Sequence, residues 1–476
     1  MKMSEQDSKK LGLFSLVAMV VGSMIGGGAF NLISDMGASA GGLAIIIGWV
    51  ITGIGMIALG FSFQNLTTME PELDGGVYNY AKAGFGDYMG FNSAWGYWIS
   101  AFLGNVAYGT LLMTAVGNFL PVFKGGANVP SIIAASVLLW LVHFLILKGV
   151  KGATFINTVV TVAKLIPIFL FIVMIIIGFN FDTFMAGFHG MTKGVSNGFD
   201  MGSLMTQVKS TMLVTLWVFI GIEGAVVFSS RAKSRSDVGK ATLIGLIAVL
   251  LIYMLITILA QGVVEQGKIA DLSNPSMAAV LEQIVGPWGA SFINIGLIIS
   301  VLGAWLGWTL LAGEVPFLAA RDNVFPAWFG KENENHAPVN SLLITNILVQ
   351  LFFLTLIFTD KAYNFAFSLA SSAILIPYAF SAFYQVKYAM THHQSGKQLF
   401  IGIVASVYAI WLVYAAGLEY LLLTMLLYFP GILVYQKVQK ANDKPISGLD
   451  KGLFIGLTLL TIAAIYFIVT GKITVF

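Results

Sequence analysis

Runs of about twenty apolar residues recur along this chain, and no other feature limits its fold as strongly. A helix needs about 20 such residues to cross a hydrocarbon core of about 30 Å. Runs of this kind fall at 11–35, 42–65, 91–120, 130–147, 153–178, 210–230, 239–262, 287–319, 340–359, 362–386, 398–417, 420–436 and 452–471. The longest interruption between them, 179–209, leaves no room for a soluble domain. Only 10% of the residues are charged, against roughly 25% in soluble domains, and the mean hydropathy is +0.87. The pattern predicts an all-α integral membrane protein with about 13 transmembrane helices.

Composition also excludes. There is no cysteine, so disulfides, thiolate metal sites and cysteine nucleophiles are ruled out. A net charge of +3 with no basic, aromatic-interleaved surface argues against nucleic acid as a partner. No phosphate-binding glycine–lysine loop, HExxH pair or nucleophile elbow occurs. Neither enzymatic activity nor a cofactor nor a metal is expected; the partners expected are the lipid bilayer and small molecules, with a homodimer as the candidate assembly.

Lysine and arginine set the expected orientation. Residues 1–10 read as a short cytoplasmic tail and the run behind them as a retained first span, not a cleaved signal. With that tail inside, 18 of the 25 basic residues fall in inner segments or at their edges and six in outer ones; Lys164 is left deep within a span. Thirteen spans put the C-terminus outside the cell membrane. The inner stretch 67–91 reads as an amphipathic segment along the membrane surface, and 179–209 as a connector.

The first span carries "GSMIGGGAF", with Gly22, Gly26, Gly27 and Gly28 at its centre. Glycine costs a helix interior about 1 kcal/mol relative to alanine. Gly22 and Gly26 could serve close helix packing, but three consecutive glycines cannot face one neighbour. The sixth span, "TLWVFIGIEGAVVF", is weakened in the same way, with Gly221 and Gly224 bracketing Glu223. Two interrupted helices in matching places predict two inverted five-helix repeats, 11–178 and 210–386, followed by extra helices in 398–471. Backbone groups freed in lipid are tolerable where they line a cavity, and N–H groups at the new helix start suit a carboxylate.

Several polar residues lie at membrane depth. Lys164 is roughly 17 Å into the fifth span, as a tether to broken-helix carbonyls or a tether that also carries a proton. Glu223, beside the second break, is either paired with a base or backbone donors, or a gating, proton-sensing carboxylate. On the third span Tyr97, Ala101, Asn105 and Tyr108 share one helical face; Asn105 is an interhelical bond or a substrate contact. Trp217, Trp305 and Trp308 are mid-span, and Trp308 could stack on a cation. His143 reads as packing, and Glu314 as a partner of Arg321.

Together "TLWVFIGIEG", "LGWTLLAGE" with "AARDNVFPAWF", and "GGVYNYAKAGFG" resemble the amino acid–polyamine–organocation superfamily. Within it they resemble the basic amino acid/polyamine antiporters, most of all the arginine/ornithine subgroup. The resemblance spans about 11–436. It implies a ten-helix inverted-repeat core with discontinuous first and sixth helices, and alternating access around a midplane site. It implies a substrate carboxylate at Ile25, Gly26, Gly27 and Gly28, and an α-amino group at carbonyls near Ser23 and from Trp217 to Ile220. Tyr97, Trp217 and Trp308 correspond to aromatic gates, Asn105 to a guanidinium-holding amide and Glu223 to a pH-linked gate. Lys164 matches a lysine that replaces sodium in proton-linked relatives. Tyr108 and Ala370 depart from the pocket of one exchanger of the family, where a methionine and a serine stand. The function implied is exchange of a basic amino acid for its metabolic product. Histidine/histamine and tyrosine/tyramine exchange, and proton-coupled lysine or basic amino acid uptake, are the alternatives. Agmatine/putrescine exchange ranks lower because neither molecule has a carboxylate. A membrane sensor is the non-transport alternative, with no signalling domain to support it.

Overall fold

A computed structural model describes residues 11–73, 76–149, 153–190, 200–227, 232–356 and 362–473. The helices, in chain order, are α1 (Leu13–Met24), α2 (Gly28–Gly37), α3 (Gly42–Met69), α4 (Val77–Phe85), α5 (Asp87–Gly117), α6 (Val129–Leu147), α7 (Ala153–Gly178), α8 (Phe181–Ala186), α9 (Met201–Phe219) and α10 (Gly224–Val227). They continue with α11 (Arg235–Ala260), α12 (Gln266–Ile269), α13 (Ser276–Val285), α14 (Pro287–Arg321), α15 (Val339–Thr355), α16 (Ala362–Thr391), α17 (Gly396–Ala416), α18 (Leu418–Ala441) and α19 (Gly448–Val469). No strand forms among the described residues.

Ten of these helices are long and apolar enough to cross a membrane, or eleven when α1 and α2, bent by 46°, count as one span. The remaining two expected segments differ in kind. The segment 340–359 holds α15, an apolar helix of 17 residues. The segment 210–230 holds the end of α9, a turn at 220–223, and α10.

Helix α5 is the hub. Its most apolar stretch is 89% buried, against 22% for α19. A helix apolar on all sides belongs in the interior, and α5 has small residues where rings of neighbours enter. At Gly96 a side chain would collide with the Tyr428 ring, whose hydroxyl donates to the Ala373 carbonyl at 2.9 Å. That contact ties α5, α16 and α18 together.

The 67–91 stretch does not lie flat on a surface. Val77, Tyr78 and Tyr80 of α4 are buried, and α4 packs against α5 and α16. It is also pinned to the end of α14. The Tyr78 hydroxyl donates to Asp322 Oδ2 at 2.7 Å, and Lys82 Nζ donates to the Asp322 carbonyl at 3.0 Å. Burial first, and the Asp322 charge second, push the Tyr78 phenol above its ordinary range, so it stays a donor. Amphipathicity served a protein surface here because polar partners were available within the bundle. The 179–209 connector contains α8 and folds back on α3: Leu43 N–H bonds the Phe188 carbonyl at 2.9 Å, and Gly41 N–H bonds Gln207 Oε1 at 2.9 Å. Residues 191–199 of it lie outside the described residues.

These contacts predict unequal costs. Asp322→Ala strands a buried phenol and should destabilise the protein by about 1–3 kcal/mol. Lys444→Ala removes a partly exposed ion pair to Asp87, 2.7 Å long, and should cost less than about 1 kcal/mol. Side-by-side unfolding in one detergent measures both.

Candidate functional site

The first break is a problem in hydrogen bonding. Where α1 stops, five successive carbonyls, from Gly22 to Gly26, lose regular helical partners, and side chains from three other helices supply donors. Lys164 Nζ on α7 donates to Gly22 O at 2.6 Å and Ile25 O at 2.5 Å. Trp308 Nε1 on α14 reaches Ser23 O at 3.3 Å. The Tyr253 hydroxyl on α11 reaches Met24 O at 2.9 Å, and Ser300 Oγ on α14 reaches Gly26 O at 3.2 Å. The N–H groups opening α2 are treated differently. Among the described residues those of Gly27, Gly28 and Ala29 have no acceptor, and Gly27 has no side-chain cap. Carbonyls are capped and N–H groups are left open, so the break presents positive polarity.

The second break meets the first. Gly221 has φ +109°, a left-handed conformation that glycine adopts without strain. Its carbonyl accepts from Ser23 Oγ at 2.8 Å. Its N–H bonds Glu223 Oε2 at 3.2 Å. Glu223 is fully buried and also accepts from the Tyr97 hydroxyl at 2.8 Å and the Tyr378 hydroxyl at 2.5 Å. Among the described residues no basic side chain pairs with it.

A small cavity of about 10 Å³ lies at this junction, room for about one water. Broken helix one contributes Met24, Gly26 and Gly28, and the end of α9 with the turn after it contributes Trp217, Val218 and Ile220. Ser100, Gly104 and Tyr108 of α5 and Trp308 of α14 complete it. The glycines give neighbouring side chains room. A Cβ on Gly26 would fall 2.5 Å from the Tyr108 hydroxyl, and one on Gly28 would fall 2.8 Å from Trp217 Nε1. One on Gly27 would meet Leu111 and Val301, neither of which lines the cavity. The three consecutive glycines thus face three different surroundings.

Six residues singled out in the sequence line the cavity: Gly26, Gly28, Tyr108, Trp217, Ile220 and Trp308. Ser23, Ile25, Tyr97, Glu223 and Lys164 form the hydrogen-bonded frame around it. Ala101 and Asn105 are buried on α5 but do not line it. Asn105 Nδ2 instead reaches Thr309 Oγ1 at 3.4 Å. The cavity face of α5 is 100, 104 and 108, rotated by roughly 55° from the face through 97, 101, 105 and 108. The small side chains of Ser100 and Gly104 beside Trp217 were the available signal. Tyr253, Ser300 and Tyr378 were also missed, because single hydroxyls in apolar runs carry no pattern.

Outside the site, His143 Nδ1 lies 3.0 Å from Asn346 Nδ2, with the His143 ring packed edge-on to Trp140. Arg321 pairs with Glu332 at 3.1 Å.

A bundle of membrane-length helices with two touching breaks and a small cavity between them defines a multi-pass membrane protein with a candidate internal site. The chain belongs to the amino acid permease family, whose profile matches residues 11–469. It is 50% identical, over 99% of its length and 100% of the relative's, to the arginine/ornithine antiporter of Pseudomonas aeruginosa. It is 44% identical to the arginine/ornithine antiporter of Latilactobacillus sakei, over 99% of each chain. It is 41% identical to the arginine/agmatine antiporter of Chlamydia caviae, over 98% of each chain.

The packing at Gly28 gives a direct test. Gly28→Val should push Trp217 aside and lower substrate affinity at least tenfold, overpacking of this kind costing about 1–3 kcal/mol. Gly307→Ala, on α14, meets nothing within 4 Å and should leave affinity unchanged. Titration of the purified, monodisperse variants in detergent reads both.

Proposed function

We propose that this protein is an antiporter that exchanges arginine for ornithine, working by alternating access in the cell membrane. The observation that carries this reading is the polarity of the first break. Its N–H groups at Gly27, Gly28 and Ala29 stand open, Gly28 in the cavity wall, while its carbonyls are capped. Such a helix start takes a carboxylate, which arginine and ornithine share and agmatine lacks. The names of the relatives from Pseudomonas and Latilactobacillus support the pair.

The substrate carboxylate sits at Gly26–Gly28, and the α-amino group meets carbonyls near Ser23 and between Trp217 and Ile220. The aliphatic stem and cation pass between Trp217 and Trp308, where an aromatic face favours a cation. A cavity of about 10 Å³ admits an amino acid only after Tyr108, Trp217 or Trp308 moves. Binding and ring movement are therefore one event, which suits a carrier that must close around its cargo. Glu223, held by tyrosines of α5 and α16, is the gate on the far side. The chain spans the membrane thirteen times, with its N-terminus cytoplasmic, and 11–178 and 210–386 form the inverted repeats.

Proteoliposomes test the exchange. Labelled arginine should enter vesicles loaded with ornithine at least tenfold faster than empty ones. Equal uptake into empty vesicles would replace exchange by uptake, the alternative for a basic amino acid permease.

Lys164 supplies a second test. Its ammonium supplies donors to two carbonyls that sodium would otherwise bind, so exchange should be equal in sodium and choline buffers. Lys164→Ala leaves Gly22 O and Ile25 O without a donor, and exchange should fall at least tenfold. A sodium requirement in the wild type, or full activity in Lys164→Ala, would refute this role.

A further inference from the structure

Ser100 is an unusual serine for a buried helix. Elsewhere in the bundle, helical hydroxyls fold back onto the preceding turn: Ser62 bonds Ala58 O, Thr257 bonds Tyr253 O, Thr309 bonds Trp305 O and Ser381 bonds Pro377 O. Ser100 is 2% exposed, and its Oγ has no hydrogen-bond partner. A buried hydroxyl without a protein partner is costly unless a small molecule in the cavity pairs with it, and a partner one turn back is available to any helical serine. Ser93, Ser371, Ser372 and Ser406 also carry unpartnered hydroxyls, but of these five serines only Ser100 lines the cavity.

Its place along the cavity can be read from Trp217. The pyrrole edge of that indole, Nε1 and Cδ1, faces Gly28, and its benzo edge, Cη2 and Cζ3, faces Gly104. Ser100 is one further turn along α5 from Gly104, roughly 6 Å, and two turns from Tyr108, whose hydroxyl faces Gly26. The cavity therefore has one end at Gly28, whose N–H is open, and a hydroxyl end at Ser100, with Trp217 lying between them. An extended basic amino acid separates its carboxylate from its terminal nitrogen by roughly 8 Å at ordinary bond lengths.

We infer that the Ser100 hydroxyl accepts a hydrogen bond from the terminal cationic group of the substrate and so selects amino acids with a nitrogen at the end of the side chain. This rests on the functional reading above and adds the residue that reads side-chain length and charge. A hydroxyl has two acceptor lone pairs and one donor, so it can take an N–H from a guanidinium or an ammonium without a full charge beside it. That suits a carrier that must also release its cargo.

The experiment compares arginine, ornithine and norvaline, which keeps the amino acid head and lacks the terminal nitrogen. Affinities are measured on the purified full-length protein, with norvaline followed at millimolar concentration by competition against labelled arginine. Ser100→Ala should weaken arginine and ornithine about tenfold and leave the norvaline constant unchanged. Ser100→Thr, which keeps the hydroxyl, should stay within about threefold of wild type for arginine and ornithine. Wild-type arginine affinity in Ser100→Ala would overturn the assignment while leaving the antiporter reading intact. So would a norvaline constant that falls in step with arginine's, since the hydroxyl would then serve the common head group. A wild-type protein that binds neither arginine nor ornithine would overturn both.

Discussion

The architecture of the site depends on one ammonium group holding two carbonyls. Breaking a helix in the bilayer leaves backbone groups that water cannot satisfy, each costing several kcal/mol. Lys164 meets Gly22 O and Ile25 O at 2.6 and 2.5 Å, and a lysine ammonium brings three donors and no acceptor. It therefore caps carbonyls and cannot compete for N–H groups. Trp308, Tyr253 and Ser300 act in the same sense, each donating to one carbonyl. All the help offered to this break is donor help, which leaves its own donors open.

That asymmetry is what suits the break to the proposed ligand and sets it apart from a defect. A break satisfied on both sides would be inert; one satisfied on neither would not persist in lipid. Here the satisfied half fixes the geometry of α1 and the open half, at the start of α2, keeps the positive end of a helix dipole beside a cavity. The glycines contribute space. Gly26 and Gly28 have room for a backbone and no more, because Tyr108 and Trp217 occupy what a side chain would need. The same rings are what the proposed ligand would displace.

The sequence was legible where physics acts locally. Apolar runs located nearly every membrane helix, and the glycine clusters at 26–28 and at 221 and 224 located both breaks. Lys164 was legible because a cation at that depth needs carbonyls. The α5 face was read roughly 55° away from the cavity because aromatic and amide residues drew attention from Ser100 and Gly104, whose smallness creates the space. The 67–91 stretch was read as a surface helix because its amphipathicity cannot say whether its apolar face meets lipid or protein. Asp322, 244 residues from Tyr78, decides that question, and nothing local to α4 predicts it. Tyr378 was silent for the same reason: its role depends on Glu223, which is 155 residues away.

A chain of hydrogen bonds between residues distant in sequence links the cavity to Glu223, the carboxylate proposed as a gate. Trp308 of the cavity wall donates to Ser23 O, and Ser23 Oγ donates to Gly221 O. Gly221 N–H is held by Glu223, and Glu223 is held by Tyr97 and Tyr378. The links run without a gap from an aromatic ring at the cavity to a carboxylate bridging α5 and α16. Moving Trp308 to admit a ligand takes a donor from Ser23 O, and a ligand amine is the kind of group that can replace it. Ser23 would then shift with its carbonyl, and its hydroxyl bond to Gly221 with it. Gly221 sits at φ +109°, where a backbone without a side chain can turn most freely. On the proposed function, the second break would yield through Gly221 when the first is occupied, and the Tyr97–Glu223–Tyr378 bridge is the contact that yielding would strain.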